Sequence, residues 1–344
     1  MADRGELTHA EIYSQPEVWA AALEVLKARR ADIAQVWQHG HYDHVIFTGC
    51  GSTYFLSLAA ASLLQELSGQ PARALPASEL WLSPASSYAR HGRTLLIAVS
   101  RSGSTTETVR ACEAFQRDRR GKLVTLSCYP DRPLAQLGAL NLVLPSGQED
   151  SVVQTRAFST LYLSAVALAA LWADHTALFA ELASLPAAGH RVLTRSLELA
   201  RSIGADLAVD RFYFLGSGPR HGLACEYALK MKEMALTHSE PFHFLEFRHG
   251  PMSMTGETSV LIGLVSEANR AHELKVLDEM RERGARIISI GETGGDIEFQ
   301  SGLSEAACGV LYLPFAHLIS YERSMEKGLN PDRPHHLTAV VKLA

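Results

Sequence analysis

Cysteine is scarce in this chain: five residues, Cys50, Cys112, Cys128, Cys225 and Cys308, are scattered over 344 positions and never spaced as CxxC. That pattern argues against a disulfide framework and a thiolate zinc site, and a reducing, cytoplasmic setting is expected. Positive charge is not in excess either. Lys and Arg total 32 against 37 Asp and Glu, a net charge of −5, so no whole-molecule attraction to nucleic acid exists. Long apolar runs are absent: Phe158 to Ala173 is interrupted by Ser159, Thr160 and Ser164 and is shorter than the about 20 residues a membrane-spanning helix needs. A buried helix is expected there, and no membrane association. The stretch from Met1 to Thr8 carries Asp3, Arg4 and Glu6 and has no apolar core to serve as a secretory signal. With 47% hydrophobic and 20% charged residues the chain is globular, and its length suggests two ordinary domains.

What the sequence does contain is a long-period repeat. His44 to Thr48 leads into Gly49-Cys50-Gly51, and Phe212 to Leu215 leads into Gly216-Ser217-Gly218. Leu95 to Ser100 is echoed by Val260 to Ser266, Leu123 to Leu126 by Ile287 to Ile290, and Leu142 to Pro145 by Leu311 to Pro314, at offsets of roughly 167 residues. Each half alternates short apolar strands with helical stretches at Ser52–Leu67, Thr105–Gln116, His221–Ala235 and Arg270–Arg283. Strands apolar throughout, separated by helices, predict a parallel sheet covered on both faces. The fold class is therefore α/β, a doubly wound sheet made twice. The expected division is an N-terminal helical segment over 1–30, a first domain over 31–180 and a second over 200–344, with the periodicity broken around Leu185 to Gly189.

Ligands of such sheets sit beyond the carboxyl ends of the strands. Two loops of the first half qualify. Gly49-Cys50-Gly51-Ser52-Thr53-Tyr54 places Tyr54 where a dinucleotide fingerprint wants a small residue, which disfavours a nucleotide. Ser100-Arg101-Ser102-Gly103-Ser104-Thr105 is dense in hydroxyls at a strand-to-helix turn, and Gly103 is followed by Ser104 rather than the Lys of a nucleotide loop. A metal-free phosphomonoester site is expected; the plain alternative is that Ser104 and Thr105 are ordinary helix caps. In the second half the corresponding loops read Pro219-Arg220-His221 and Glu267-Ala268-Asn269, so phosphate is assigned to the first half and reactive side chains to the second.

Lys230 and Glu233 are three apart on one helix face, while Lys232 points elsewhere. A solvated ion pair is the plain reading. The following segment, His238 to Pro251, mixes His243, His249, Glu240 and Glu246 with Phe242, Phe244, Leu245 and Phe247. A carboxylate beside a Lys among apolar neighbours suits general-base duty, and His249 before Gly250-Pro251 suits proton shuttling. Shifting a proton between C1 and C2 of an open-chain sugar needs one base, and ring opening needs a second acid/base. His243, His249, His335 and His336 have no metal-ligand spacing, so neither a metal nor a cofactor is expected.

At these residues the sequence resembles the tandem sugar isomerase (SIS) domain proteins over about Tyr42 to Val341, and its second half is similar to the isomerase part of glucosamine-6-phosphate synthase. The resemblance rests on Gly49-Cys50-Gly51-Ser52-Thr53, Ser100 to Thr105, Ala228 to Glu233 and Glu246 to Pro251. It implies two flavodoxin-like domains, with phosphate held by Ser100, Ser102 and Thr105 and with Ser52 and Thr53 nearby. It further implies Glu233 as the C1/C2 proton carrier assisted by Lys230, His249 as ring-opening acid/base reaching a neighbouring subunit, and a homodimer. Three departures stand out. No nucleophilic Cys follows Met1, so glutamine is not the expected nitrogen donor. Ala339 stands where the synthase has an imine-forming tail Lys, with Lys342 three residues on, and Arg101 replaces a Gln, adding a cation for phosphate. The implied activity is an isomerase-deaminase converting a hexosamine 6-phosphate such as glucosamine 6-phosphate to fructose 6-phosphate and ammonia. A plain sugar-phosphate isomerase, a fructosamine-phosphate deglycase and a non-catalytic sugar-phosphate sensor are the alternatives.

Overall fold

The computed structural model describes residues 3–343. The chain forms two compact units. One comprises Glu17–Glu149, Arg156–Ala183 and the tail from Thr338; the other comprises the N-terminal stretch up to Pro16, Asp150–Thr155 and Ser184–Leu337. In the first unit, β1 (His44–Gly49), β2 (Ala72–Pro76), β3 (Thr94–Ser100), β4 (Gly121–Ser127) and β5 (Leu140–Val143) form a sheet of order β2-β1-β3-β4-β5, parallel throughout. Every residue of β3, TLLIAVS, is buried, as a central strand covered on both faces requires. The apolar run is indeed a helix, Arg156–Trp172, with its core-facing and rear faces both enclosed; Trp19 Nε1 donates to its Ser159 Oγ at 2.8 Å and its own Trp172 Nε1 donates to the Ile33 carbonyl at 3.0 Å.

The second unit repeats the plan. Here β6 (Arg211–Leu215), β7 (His238–Phe242), β8 (Ser259–Leu264), β9 (Arg286–Gly291) and β10 (Ile297–Glu298) pair in parallel in the order β10-β9-β8-β6-β7. Both sheets are thus the two-one-three-four-five order of a flavodoxin-like fold, in which the first and third strands of each unit flank the topological switch point. The turns after β1 and β6 are alike in detail. Gly51 (φ 55°, ψ −125°) and Gly218 (φ 56°, ψ −133°) hold a backbone conformation closed to other residues, and a Cβ on Gly49 or Gly216 would overlap the backbone of Thr53 or Arg220.

Some sequence expectations differ from the structure. Leu311 to Pro314 is not a strand: it runs through a 3-10 turn, Gly309–Tyr312, into the helix Leu313–Glu326, and the fifth strand is the two-residue β10. Pro314 marks the helix start, where a missing N–H is harmless, and Pro145 likewise opens a short 3-10 helix after β5. Leu185 to Gly189 is not a break but the first turn of the helix Leu185–Gly204. The tail from Thr338 clusters with the first unit rather than the second, because Arg101 Nη2 donates to the Ala339 carbonyl at 3.2 Å and Leu343 N to Thr106 Oγ1 at 3.2 Å. No described helix is long and apolar enough to cross a membrane.

In the second unit the N-terminal helix Glu6–Tyr13 is fastened by two buried carboxylates. Asp332 Oδ1 accepts from Thr8 N at 2.8 Å and Thr8 Oγ1 at 2.7 Å, and Glu11 Oε1 accepts from Asp150 N at 2.7 Å and Ser151 N at 3.1 Å. Removing such an acceptor strands two buried donors. Asp332→Ala is expected to lower unfolding free energy by about 2–4 kcal/mol, read from urea denaturation, with Asp332→Asn intermediate.

Candidate active site

The hydroxyl loop opens at the carboxyl end of β3 and runs into the helix Thr106–Arg117. Thr105 is that helix's N-cap, yet its side chain makes no capping bond. Its Oγ1 instead lies 3.4 Å from both Ser100 Oγ and Ser102 Oγ. The acceptor sides of these serines are used by the loop itself: Gly103 N donates to Ser100 Oγ at 3.2 Å and Ser104 N to Ser102 Oγ at 3.3 Å. A hydroxyl has one proton and two lone pairs, so two serines that each accept from a backbone amide still carry O–H groups that can turn from Thr105 to an anion. Ordinary capping therefore does not explain Thr105.

Thr53 and Arg101 have other partners. Thr53 Oγ1 accepts from Cys50 N at 3.0 Å and donates its single proton to the Cys50 carbonyl at 3.0 Å, so it closes the turn after β1 and offers a phosphate no donor. Ser52 is buried at the first position of the helix Ser52–Ser68. The Arg101 guanidinium, almost fully buried, donates to Glu149 Oε2 at 2.9 Å as well as to Ala339. Glu149 in turn accepts from Ala157 N at 3.0 Å. Arg101's charge is thus balanced inside the unit instead of standing open to a ligand.

The repeat provides an internal control. At the end of β8, Ser266 Oγ accepts from Asn269 N at 2.9 Å, reproducing the turn that Ser100 makes with Gly103 N. But Ser266 N and Oγ both donate to Glu273 Oε2, at 2.6 and 2.9 Å. Burial raises the Glu273 pKa, with the Ser266 N–H and the Arg220 charge acting against it. A carboxylate of the chain itself fills the seat that stays open at Ser100.

The reactive helix, Pro219–Ala235, follows the β6 turn. Lys230 is completely buried, with Nζ 3.2 Å from Glu226 Oε1 and 2.5 Å from Glu233 Oε2. Glu226 is fully enclosed, whereas the Glu233 side chain is 23% exposed and Lys232 points to solvent. Burial alone favours a neutral amine, but the two carboxylates outweigh it and hold the Lys230 pKa above its ordinary value. The pair is no solvated surface contact: one charge is enclosed, and only Glu233 presents an edge outward. Glu226 went unnoticed in sequence, although a Glu four residues before Lys on one helix face is a readable signal. His317 had none. It is buried, its Nδ1 donates to Gln15 Oε1 at 3.1 Å, and burial with the nearby Lys230 charge lowers its pKa to about 3.

The segment after the helix divides its labour. His238 to Phe242 is β7, and Phe244 and Phe247 pack into the core against Tyr213, Phe247 at 5.1 Å between ring centroids. Arg248 grips Glu279 with two bonds of 2.7 Å, which fixes the 3-10 turn Glu246–Arg248. His249 follows on an exposed turn, and its imidazole has no hydrogen-bonding partner among the described residues. His243 stacks on His221 at 3.8 Å, and burial followed by His243 lowers the His221 pKa to about 4. Among the described residues no group of three His, Cys, Asp or Glu side chains is placed to hold a metal.

The SIS domain profile matches residues 41–171 and 208–298. The chain belongs to the SIS domain family. The glutamine–fructose-6-phosphate aminotransferase (isomerizing) of Methanothermobacter thermautotrophicus is 28% identical over 99% of this chain, and the chain spans 58% of that relative's length. Among solved structures, glucosamine-6-phosphate deaminase from Thermotoga maritima superposes with a TM-score of 0.80 at 27% identity, covering 94% of this chain and 100% of that one. Tagatose-6-phosphate ketose/aldose isomerase from Escherichia coli shares the fold, with a TM-score of 0.86 at 23% identity and 97% coverage of both chains.

Two buried neutral histidines make the SIS fold acid-sensitive. The unfolded chain binds a proton on each near pH 6.5, the folded one only near pH 3 at His317 and pH 4 at His221, so acid favours the unfolded state. Urea titrations between pH 7 and 5 should show stability falling with pH, and His317→Gln should remove a slope of about 1.4 kcal/mol per unit below pH 6.

Proposed function

We propose that this SIS protein is an amino-sugar-phosphate isomerase-deaminase acting on a hexosamine 6-phosphate. Ser100, Ser102 and Thr105 give hydroxyl protons to the phosphate, and Ser52 lies in the companion loop. His249 opens the sugar ring. Glu233 then takes the proton from C2 of the open-chain 2-amino aldehyde and returns it at C1, which leaves an imine at C2. Water adds to that imine and ammonia departs, so glucosamine 6-phosphate and water give fructose 6-phosphate and ammonia. Lys230 holds the Glu233 carboxylate in place.

The observation that carries this reading is the asymmetric acid–base pair on the Pro219–Ala235 helix: an enclosed Lys230 braced by Glu226, with Glu233 alone turned partly to solvent. A sensor has no need of such a group. The likeness to a protein named as a glucosamine-6-phosphate deaminase, which this chain covers in full, supports ammonia release over nitrogen transfer. Ser266 with its resident Glu273 supports a single phosphate seat, in the first unit. The exposed His249, without a hydrogen-bonding partner among the described residues, supports its use in the neighbouring subunit of a homodimer.

Incubation with glucosamine 6-phosphate should release ammonia and fructose 6-phosphate in equal amounts, and Glu233→Gln should lower kcat by roughly 10²–10⁴-fold. Absence of both products from every hexosamine 6-phosphate would sink the proposal. For the shared site, mixing inactive Glu233→Gln and His249→Ala proteins after subunit exchange should restore activity; no recovery would place His249 in its own subunit.

A further inference from the structure

Beside the hydroxyl loop lies a cavity of about 390 Å³, lined by Ser102 and Ser104 together with Arg101, Arg132, Glu149 and Lys342. A phosphomonoester brings a charge of about −1.5 to −2 at pH 7 into such a space, and neutral hydroxyls alone leave that charge unmatched. Arg101 does not match it, because Glu149 holds its guanidinium at 2.9 Å. The cations that remain on the cavity wall are Arg132, whose one ion pair among the described residues is a long 3.9 Å approach to exposed Asp131, and Lys342, which has none among them.

Both are tied to the hydroxyl loop by backbone bonds. Leu134 N donates to the Gly103 carbonyl at 3.0 Å, and the Arg132 Cβ lies 3.0 Å from where a Cβ on Gly103 would stand. Gly103 has φ +63°, so this position excludes a side chain twice over, by strain and by contact with Arg132. On the other side, Arg101 Nη2 holds the Ala339 carbonyl, Thr106 N donates to the Val341 carbonyl at 3.4 Å, and Leu343 N donates to Thr106 Oγ1 at 3.2 Å. These three bonds fasten the chain immediately before and after Lys342.

Building on the phosphate seat proposed above, we infer that Lys342 and Arg132 are the residues that match the phosphate's charge, and that Arg101 is a positioning residue which acts through the tail carrying Lys342. The site accepts a phosphomonoester dianion: the hydroxyls of Ser102 and its neighbours fix the direction of the oxygens, and the two cations supply the attraction.

Isothermal titration of the full chain with inorganic phosphate and with fructose 6-phosphate tests this. Inorganic phosphate has no carbonyl, so its affinity reports charge and not imine formation at a lysine. Lys342→Ala and Arg132→Ala should each weaken both probes about tenfold, as loss of one charge-assisted hydrogen bond does, and Lys342→Arg should restore most of it. The double variant should also flatten the dependence of affinity on salt. Arg101→Gln should weaken phosphate less than Lys342→Ala does, and combined with Lys342→Ala it should add little. If wild-type protein binds the probes and both alanine variants bind them equally well, the inference falls while the phosphate seat stands; if wild-type protein binds neither probe, both fall.

Discussion

Everything chemical in the second unit depends on a buried ammonium. Lys230 lies inside a helix that packs against β6 and β7, where a lone charge would be untenable, and it persists because Glu226 and Glu233 flank it at i−4 and i+3. Glu226 is enclosed, and Glu233 is the partner with an exposed edge. A carboxyl group held by a fixed cation and reachable from outside has the geometry that the proposed general base needs. His317 fits the same constraint. Burial, with the Lys230 charge nearby, keeps that imidazole neutral, and Gln15 fixes its tautomer.

Duplication explains how one architecture carries two tasks. The serines that end β3 and β8 make the same turn to the amide three residues on, so the backbone scaffold of the seat is common to both copies. What differs is the helix that follows. Glu273 reaches back to Ser266, while Glu107, at the equivalent distance from Ser100, leaves one carboxylate oxygen buried without a partner and does not enter the hydroxyl loop. A single side-chain placement thus converts a receptive anion seat into a filled one. The edge of the second sheet is satisfied internally, with Arg220 bonded to Glu305 and Tyr312 Oη donating to the Val265 carbonyl at 2.7 Å.

The fold was legible in sequence wherever burial was complete. β1, β3, β4, β6, β8 and β9 are continuous apolar runs, and they stand within a residue or two of where those runs lie. Two of the edge strands were not legible: β2 is ARALP and β7 is HSEPF, half-buried segments without a continuous apolar run, whereas the edge strand β5 lies within two residues of the run Leu142 to Leu144. The Leu-Pro echo misled because proline marks where a helix begins as readily as where a strand ends. In the site, Lys230 and Glu233 were visible as a spaced pair and Glu226 was readable by the same spacing, but Glu149 and His317 acquire meaning only from burial and from partners distant in sequence. Arg101 shows the same limit in reverse: a cation in a phosphate loop invites one reading until Glu149, 48 positions away, is seen to hold it.

The two units also pose opposite electrostatic problems, which gives duplication a physical purpose. Holding a dianion calls for hydrogen-bond donors and positive charge, and a carboxylate base placed among them would repel the dianion. A carboxylate base calls instead for a partner that fixes its position without accepting its proton, and an enclosed Lys provides that. Placing both demands on the loops of one sheet would set them against each other within a few residues. With two copies of the same scaffold, the turn that ends β3 carries a cluster of hydroxyls, the turn that ends β8 is bonded to Glu273, and the chemistry proposed for the second unit lies on the helix that follows β6.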